Sequence, residues 1–471
     1  MNLLKILGDV RRWTLLLCIV LFSSASGAAR CLAADSPPKR EITPRPPTSR
    51  ELRDQRKPQP ATNAPIIIER TMRHAMGYPR VFARIFFNGQ PVMGRPAQDV
   101  IQRARALDGN LMDLNLAASA GPHSWWTAVL DTGAESHSVN QDTAQRFGLR
   151  DAGDVLAVVT GVDGQGLKVM SWVYALNLAG SNGHLSEEPS MPFGLVQQDA
   201  RFTLELKAYQ PLRKTEPEGA NLIGMSAIRQ LAVEIDNGNA TVAMLSESFD
   251  MSSARAFEES LRGKVAGPRV RFLPPAFRPT NEVVRIPLRY LNARRMLTPG
   301  NEIAPVAATS PFIMGVRSGH VGKTAIGNFL FDTGASQTII SRRMAYQLGL
   351  IPNANPANDK PEFKGGFTGI NDREIEAAGF TIDTLEMLSP SGQIITWRNV
   401  PLLVHDVAMQ QADGTRAVHD GILGNNLFMA SSNGELTERG LKVNPPPFER
   451  YWIHGPLGEI WFQRPASKPA E

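Results

Sequence analysis

Apolar, β-branched and aromatic runs separated by turn-forming pairs dominate the chain after its first 65 residues. The stretch "RVFARIFFNGQPV" (80–92) reads as a strand, an Asn-Gly turn and the start of a second strand. "LAVEIDNGNATVAML" (231–245) reads as a hairpin on Asn237-Gly238, and "RYWIHGPLGEIWF" (450–462) occupies the matching place later in the chain. Helical patterning is short. One helix is predicted from about Asn140 to Phe147 and another from about Ser341 to Leu348, with Gly148 and Gly349 at their C-terminal stops. The expected class is mainly β, arranged as two similar lobes in one chain, a pseudo-dimer with its site between the lobes.

That expectation of two lobes comes from an internal repeat. "AVLDTGAESHSVNQDTAQRFGL" (128–149) and "FLFDTGASQTIISRRMAYQLGL" (329–350) align without a gap, pairing Asp131 with Asp332 and Gly148 with Gly349 at an offset of 201 residues. A second pair of words, "NLIGMSAI" (221–228) and "GILGNNLF" (421–428), places Gly224 against Gly424 at an offset of 200. Two separate motifs at nearly one offset imply a duplicated unit of that length. Between the copies, "GPRVRFLPPAFRP" (267–279) has the prolines of an extended connector. The expected division is a leader (1–29), a Pro/Arg-rich tether or prosegment (30–65), an N-terminal lobe (66–245), a linker (246–281) and a C-terminal lobe (282–466).

Charge is distributed unevenly, which changes its meaning. The formal net charge is +5. Residues 30–58 hold eight Lys/Arg against four Asp/Glu, and the first 29 hold Lys5, Arg11 and Arg12 against Asp9, so the remainder carries a net charge of −1. A nearly neutral folded part argues against a nucleic-acid partner, whose phosphates require a concentration of Lys and Arg on the globular surface. Lys5, Arg11 and Arg12, the ten-residue apolar stretch Trp13 to Phe22 and the small residues Ser23 to Ala29 have the layout of a secretory signal. Ten apolar residues fall short of a bilayer span, so export with no stable membrane span after leader removal is the expectation, and an uncleaved tether the alternative. Cys31 follows Arg30 where a lipoprotein signal requires a small residue. Cys18 and Cys31 are the only cysteines, so internal disulfides are not expected to support the mature fold.

The chemistry centres on the two Asp-Thr-Gly-Ala words. An apolar strand delivers each aspartate to a lobe edge, and Gly133 or Gly334 lets backbone N–H groups turn towards the carboxylate. Thr132 and Thr333 have hydroxyls able to bond across to the opposite loop. Asp-Thr-Gly is also an ordinary turn composition. Two copies of one four-residue word, each expected on the order of 0.01 times in a chain of this composition, favour duplication over accident. Two carboxyl groups held about 3 Å apart share a proton. One then draws a proton from water while the other donates to a carbonyl oxygen, with no metal or cofactor. Ser136 and His137 lie beside Asp131 in sequence, which does not build a serine triad. His405, His419 and His454 lack metal-ligand spacing, and Trp125-Trp126 is expected in the core.

Both DTGA words and the words Leu222-Ile223-Gly224 and Ile422-Leu423-Gly424 resemble the two signatures of the pepsin and retropepsin type of aspartic peptidases. Ala134 and Ala335 are closer to the retropepsin-like branch. The resemblance implies a second signature packed beneath the catalytic loop of its own lobe, a peptide or protein substrate, and glycine-tipped hairpin flaps. Candidate flaps are "TGVDGQG" (Thr160, Gly161 and Gly164) and "GGFTGIN" (Gly366 and Gly369). Retropepsins pair two chains, whereas this chain is expected to carry both halves as a monomer with an internal pseudo-twofold. The function expected is that of an exported aspartic endopeptidase. The alternatives are a non-catalytic peptide-binding protein or a structural envelope protein that retains the fold. Without a hydroxyl at Ala134 or Ala335 the carboxylates accept one hydrogen bond fewer each, so an only mildly acid optimum is expected.

Overall fold

The computed structural model describes residues 65–94, 124–161, 164–181, 192–204, 221–238, 267–279, 282–291, 296–297, 303–304, 310–353, 355–368, 374–410, 416–437 and 440–464. All of them fall within one unit, Pro46–Glu471. Both the expected leader and most of the tether lie outside the described residues. The fold is mainly β, with three short α-helices among the described residues.

The first half of the chain supplies β1 (Ile66–Ile68), β2 (His74–Ala75), β3 (Arg80–Phe87), β4 (Gln90–Pro91), β5 (Trp126–Leu130), β6 (His137–Val139), α1 (Gln141–Arg146), β7 (Asp151–Gly161), β8 (Gly164–Ser171), β9 (Tyr174–Ala179), β10 (Pro192–Ala200), β11 (Phe202–Leu204), β12 (Leu222–Ile223), α2 (Met225–Ile228) and β13 (Ala232–Asp236). Asn88 and Gly89 both have positive φ, 50° and 76°, as a two-residue type I′ turn between β3 and β4 requires. Helix α1 starts where the Asn140 side chain accepts from Thr143 N, satisfying one of the free N–H groups of the first turn.

The second half supplies β14 (Arg269–Leu273), β15 (Val283–Pro287), β16 (Arg289–Leu291), β17 (Met296–Leu297), β18 (Ile303–Ala304), β19 (Ser310–His320), β20 (Lys323–Phe331), β21 (Ile339–Ile340), α3 (Arg342–Leu348), β22 (Phe363–Thr368), β23 (Glu374–Leu388), β24 (Ile394–Val404), β25 (Ala408–Gln410), β26 (Arg416–Val418), β27 (Gly421–Leu423), β28 (Ser431–Thr437), β29 (Gly440–Asn444), β30 (Arg450–His454) and β31 (Glu459–Gln463). Helix α3 is capped by Ser341, which accepts from Met344 N, and ends on Gly349 in the left-handed region at φ 76°.

Two large sheets, one smaller five-stranded sheet and two minor ones, β2-β28-β29 and β25-β26, hold these strands. One large sheet runs β10-β9-β3-β5-β12-β6-β11-β8-β7-β17-β18, the other β1-β24-β21-β27-β20-β19-β23-β22. The smaller runs β14-β13-β30-β31-β15 and joins strands from both halves. Trp126 and Phe202 fill the core beside the first sheet, and Trp397, Phe428, Phe448 and Phe462 meet edge to face, stacked or tilted where the second sheet approaches the smaller one. Trp125 and Trp126 are both buried.

Three expectations are corrected by this pairing. Ile66–Ile68, placed with the N-terminal lobe, pairs in parallel with Ile395–Trp397 in the second half's sheet, and β2 pairs with Ser431 and Ser432. Burial of Ile66, Ile68, Thr71 and Met72 accounts for this crossing. The connector "GPRVRFLPPAFRP" contains β14, a strand of the smaller sheet. The hairpin expected at Asn237-Gly238 cannot use β13, because β14 and β30 occupy both of its edges. Asn237 instead turns inward, and its Nδ2 donates to the carbonyls of Phe428 (2.9 Å) and Phe448 (3.0 Å). Among the described residues no helix is long and apolar enough to cross a membrane.

Candidate active site

Each Asp-Thr-Gly-Ala word leaves the end of a buried strand. Residue Leu130 of β5 lies beside Ile223 of β12 and Phe331 of β20 beside Leu423 of β27, both in parallel register. The next backbone bond continues each ladder: Asp131 N donates to Ile223 O (3.0 Å) and Asp332 N to Leu423 O (3.1 Å). The chain then turns back on the aspartate. Oδ1 of Asp131 accepts from Gly133 N (2.8 Å) and Ala134 N (3.1 Å), and Oδ1 of Asp332 from Gly334 N (2.8 Å) and Ala335 N (3.2 Å).

The two loops are locked face to face. Thr132 N donates to Thr333 Oγ1 and Thr333 N to Thr132 Oγ1, both at 3.0 Å. The hydroxyls pass the bond on, Thr132 Oγ1 donating to Phe331 O (2.7 Å) and Thr333 Oγ1 to Leu130 O (2.5 Å). Both threonines are fully buried, so each of these four bonds satisfies groups that water cannot reach. The glycines face the opposite carboxylates. A Cβ on Gly133 would stand 2.4 Å from Cγ and Oδ2 of Asp332, and one on Gly334 would stand 2.5 Å from Cγ of Asp131. No side chain larger than a hydrogen fits at either place.

Asp131 and Asp332 are hydrogen-bonded to each other through their side chains. Burial pushes the Asp332 carboxyl well above the usual carboxylate range. The negative charge of Asp131 and the bond to it add to the rise, while the N–H groups of Gly334 and Ala335 oppose it. Two carboxyls this close hold one proton between them and titrate as a pair.

Beneath the loops, the Gly224 and Gly424 words act as props. Met225 N donates to Ala134 O and Asn425 N to Ala335 O, both at 2.8 Å. A Cβ on Gly224 would lie 2.6 Å from Ala134 O, and one on Gly424 2.3 Å from Gln337 O. The side chains differ between the halves. Gly224 N donates to His137 Nδ1 (3.2 Å), and the other ring nitrogen of His137 meets Ser226 Oγ and Gln197 Oε1, each at 3.0 Å. Gly424 N donates instead to Thr338 Oγ1 (3.3 Å), and Asn425 Nδ2 donates to Thr333 O (2.6 Å). Burial lowers the His137 imidazole to about 4.

The stretches named as candidate flaps lie in or beside two antiparallel strand pairs, β7–β8 and β22–β23. Thr160 and Gly161 lie at the end of β7 and Gly164 opens β8, with Gly161 facing Gly164. Gly366 is inside β22, opposite Glu376, and its carbonyl accepts from Gln337 Nε2 (3.1 Å), so it is a strand residue rather than a tip residue. Gly369 lies outside the described residues.

Tyr78 was not indicated by the sequence. It hydrogen-bonds Ser336, one residue beyond the second Asp-Thr-Gly-Ala word, and lies within electrostatic reach of Asp332, Arg80 and Asp131. The usable signal was the pair of words Tyr78-Pro79 and Ser310-Pro311, each leading into the strand beside an aspartate strand. His419 is buried against the Phe312 ring, His454 is buried with its Nε2 near Pro275 O (2.9 Å), and His405 packs edge-on to Phe367. No group of three or more His, Cys, Asp or Glu side chains suited to a metal occurs among the described residues.

A mainly β protein that presents two facing, hydrogen-bonded aspartates at strand ends has the makings of an acid–base hydrolase. Residues 318–427 match the family model described as aspartyl protease, a span that includes Asp332 and Ile422-Leu423-Gly424. That stretch is therefore similar to aspartyl proteases, which supports peptidase function for the chain. Comparison with curated proteins gives no match.

Proposed function

We propose that the chain is an exported aspartic endopeptidase in which two fused lobes, related by an internal pseudo-twofold, each contribute one catalytic aspartate. The observation that carries this reading is the hydrogen bond between Asp131 and Asp332, brought about by residues 201 positions apart. The ionised member of the pair takes a proton from a water held between them as that water attacks the scissile carbonyl carbon. The neutral member donates its proton to the carbonyl oxygen. Collapse of the tetrahedral intermediate passes a proton to the leaving amine and regenerates the pair. Thr132 and Thr333 brace the dyad, Gly133 and Gly334 permit the approach of the carboxylates, and Ala134 and Ala335 complete the backbone cradles. Leu222-Ile223-Gly224 and Ile422-Leu423-Gly424 prop the loops from below, and the β7–β8 and β22–β23 pairs cover an extended peptide. The chain works as a monomer, without a metal or cofactor, in the periplasm or outside the cell, where the N-terminal leader directs it.

Cleavage of a mixed peptide library tests the proposal. Wild-type protein is expected to turn over peptides, and Asp131→Asn and Asp332→Asn to abolish turnover while leaving the melting curve cooperative. A wild-type protein that binds peptides without cleaving any would favour the peptide-binding reading instead. Fractionation of cells producing the full chain tests export, and the mass of active material in solution tests the monomer.

A further inference from the structure

The planar peptide unit between Thr333 and Gly334 is held at both ends. Its N–H, on Gly334, donates to Oδ1 of Asp332 (2.8 Å), and its carbonyl, on Thr333, accepts from Nδ2 of Asn425 (2.6 Å). Because the partner is a carbonyl, the atom facing it is the amide nitrogen and not the amide oxygen. Asn425 is itself fixed through its backbone. Its N–H donates to Ala335 O (2.8 Å), and its carbonyl accepts from Phe428 N (2.9 Å) and Met429 N (2.8 Å) as it opens the 3₁₀ turn Asn425–Leu427. Met225 occupies the corresponding place in the first half, where its N–H donates to Ala134 O (2.8 Å). A thioether has no proton to donate to the peptide unit between Thr132 and Gly133. Asn425 is also fully buried, and its Oδ1 finds no hydrogen-bond partner among the described residues. An apolar side chain of similar size would avoid the penalty of that buried oxygen, so packing gives no reason for an amide here. The bond to Thr333 does.

We infer that Asn425 is a positioning residue: it fixes the Thr333–Gly334 peptide plane and strengthens the N–H that binds Asp332, which makes the two aspartates inequivalent although their loops share one backbone geometry. A donor on the carbonyl of an amide draws electron density towards the oxygen and leaves the N–H of the same unit a better donor, because hydrogen bonds in a chain polarise one another. That N–H and the one on Ala335 hold Oδ1 of Asp332. A stronger bond there favours the ionised carboxylate. It opposes burial and the neighbouring charge of Asp131, which raise the Asp332 carboxyl. Asp131 receives the same pair of backbone bonds, from Gly133 and Ala134, with only the Met225 side chain at the place of the amide. The bias acts on where the shared proton sits. It therefore acts on which member takes a proton from water and which donates one to the carbonyl oxygen. Asp131 and Tyr78 lie within electrostatic reach of Asp332, and replacing Asn425 alters neither.

The role in turnover rests on the peptidase reading, so the experiment on the full chain includes a readout that does not need turnover. Carbon-13 NMR of the aspartate carboxyl carbons, assigned with Asp131→Asn and Asp332→Asn, follows the titration of each member of the pair in wild type and in Asn425→Leu. In the leucine variant the Asp332 carboxyl should keep its proton to higher pH, by on the order of half a unit, while the Asp131 carboxyl moves less or in the opposite direction. Peptide cleavage by the same samples should lose about tenfold in kcat with KM little changed. A merely structural role would lower stability without separating the two carboxyls. An Asp332 titration that stays in place, falls, or moves by the same amount as that of Asp131 overturns the inference, as does an unchanged kcat. If Asn425→Leu does not fold, the wild type alone decides. Its Asn425 side-chain N–H signals should shift with the same midpoint as the Gly334 N–H when the pair titrates, and side-chain signals that stay constant overturn the inference. Failure of the peptidase reading would appear differently, as a wild type that cleaves nothing while the two carboxyls still separate in Asn425→Leu.

Discussion

The two aspartate loops share one backbone and differ in what supports it. In both, the residue before the glycine bonds across to the other loop, the two N–H groups after the threonine cradle the carboxylate, and a second glycine word closes from below. Under the first loop the prop is an imidazole, His137, set against Ser226 and Gln197. Under the second it is a hydroxyl, Thr338, which donates to Asn426 Oδ1 (2.8 Å), with Asn425 holding the Thr333 carbonyl. The contact made by the leading strand of the other half also differs, Ser310 on Glu135 in one case and Tyr78 on Ser336 in the other. The lesson is that the geometry at the carboxylates is enforced by backbone and by fully buried threonines. Side chains one layer out are free to diverge, and with them the response of each half to pH and solvent.

Shared features should fail alike in the two loops. Asp131→Asn and Asp332→Asn should each lower kcat on the order of 10⁴-fold or more, and the double variant little further, because the pair acts as one unit. A large difference between the single variants would mean that the aspartates do not share one role. Gly133→Ala and Gly334→Ala should reduce activity by about 10²-fold or more, since a displacement of the order of an ångström at reacting groups has that effect. Each places a methyl against the opposite carboxylate. Full activity in either variant would contradict the close approach of the loops.

The comparison is sharpened by acid. His137, His419 and His454 are buried and lowered to about 4, with burial the largest cause in each. Their unfolded-state value lies near 6.5, so the unfolded chain binds protons first as pH falls. The stability they contribute is complete above about pH 6.5 and is lost progressively down to about pH 4, by on the order of 3 kcal/mol for each fully buried imidazole. Under the first loop that loss is local, whereas Thr338 does not titrate. His137→Thr should therefore flatten the decline of melting temperature between pH 6.5 and 4, whatever it does to stability at neutral pH. Hydrogen exchange in the wild type should rise with acid at Gly224 before Gly424. Equal exchange at both glycines, or an undiminished decline in His137→Thr, would remove the distinction between the halves.

The smallest effect expected is on the cross-brace. Thr132→Val and Thr333→Val each leave a buried N–H and carbonyl without their partners and should cost about 1–3 kcal/mol. The corresponding serine variants, which keep the hydroxyl, should cost less. Denaturant melts of the four variants would show whether the brace is as symmetric in energy as in geometry.

Much of this was legible along the chain. The mainly β class, the two short helices beginning near Asn140 and Ser341, the stops at Gly148 and Gly349, and the Asn88-Gly89 turn follow from local rules that act over a few residues, and such rules leave clear marks. Repetition of Asp-Thr-Gly-Ala at one offset singled out two aspartates, although nothing local says that they meet. Other features were hidden because they depend on partners far away in sequence. Ile66–Ile68 looks like the start of its own half, yet its apolar side chains find their cover beside Ile395–Trp397. Asn237-Gly238 carries a hairpin signal that is overridden because both edges of β13 are already paired. Glycine at 133 and 334 looked like a requirement of the turn. The stronger reason is steric and lies in the opposite loop.

The amino-acid sequence alone determined the strand-rich class, the duplicated words and the identity of the two acids, because these depend on composition and short spacing. Only the tertiary structure decided that the acids share a hydrogen bond, that a strand from the first half joins the sheet of the second, and that Tyr78 reaches Ser336. Each of these is a contact between residues dozens to hundreds of positions apart, set by which buried surfaces fit together rather than by any local preference of the chain.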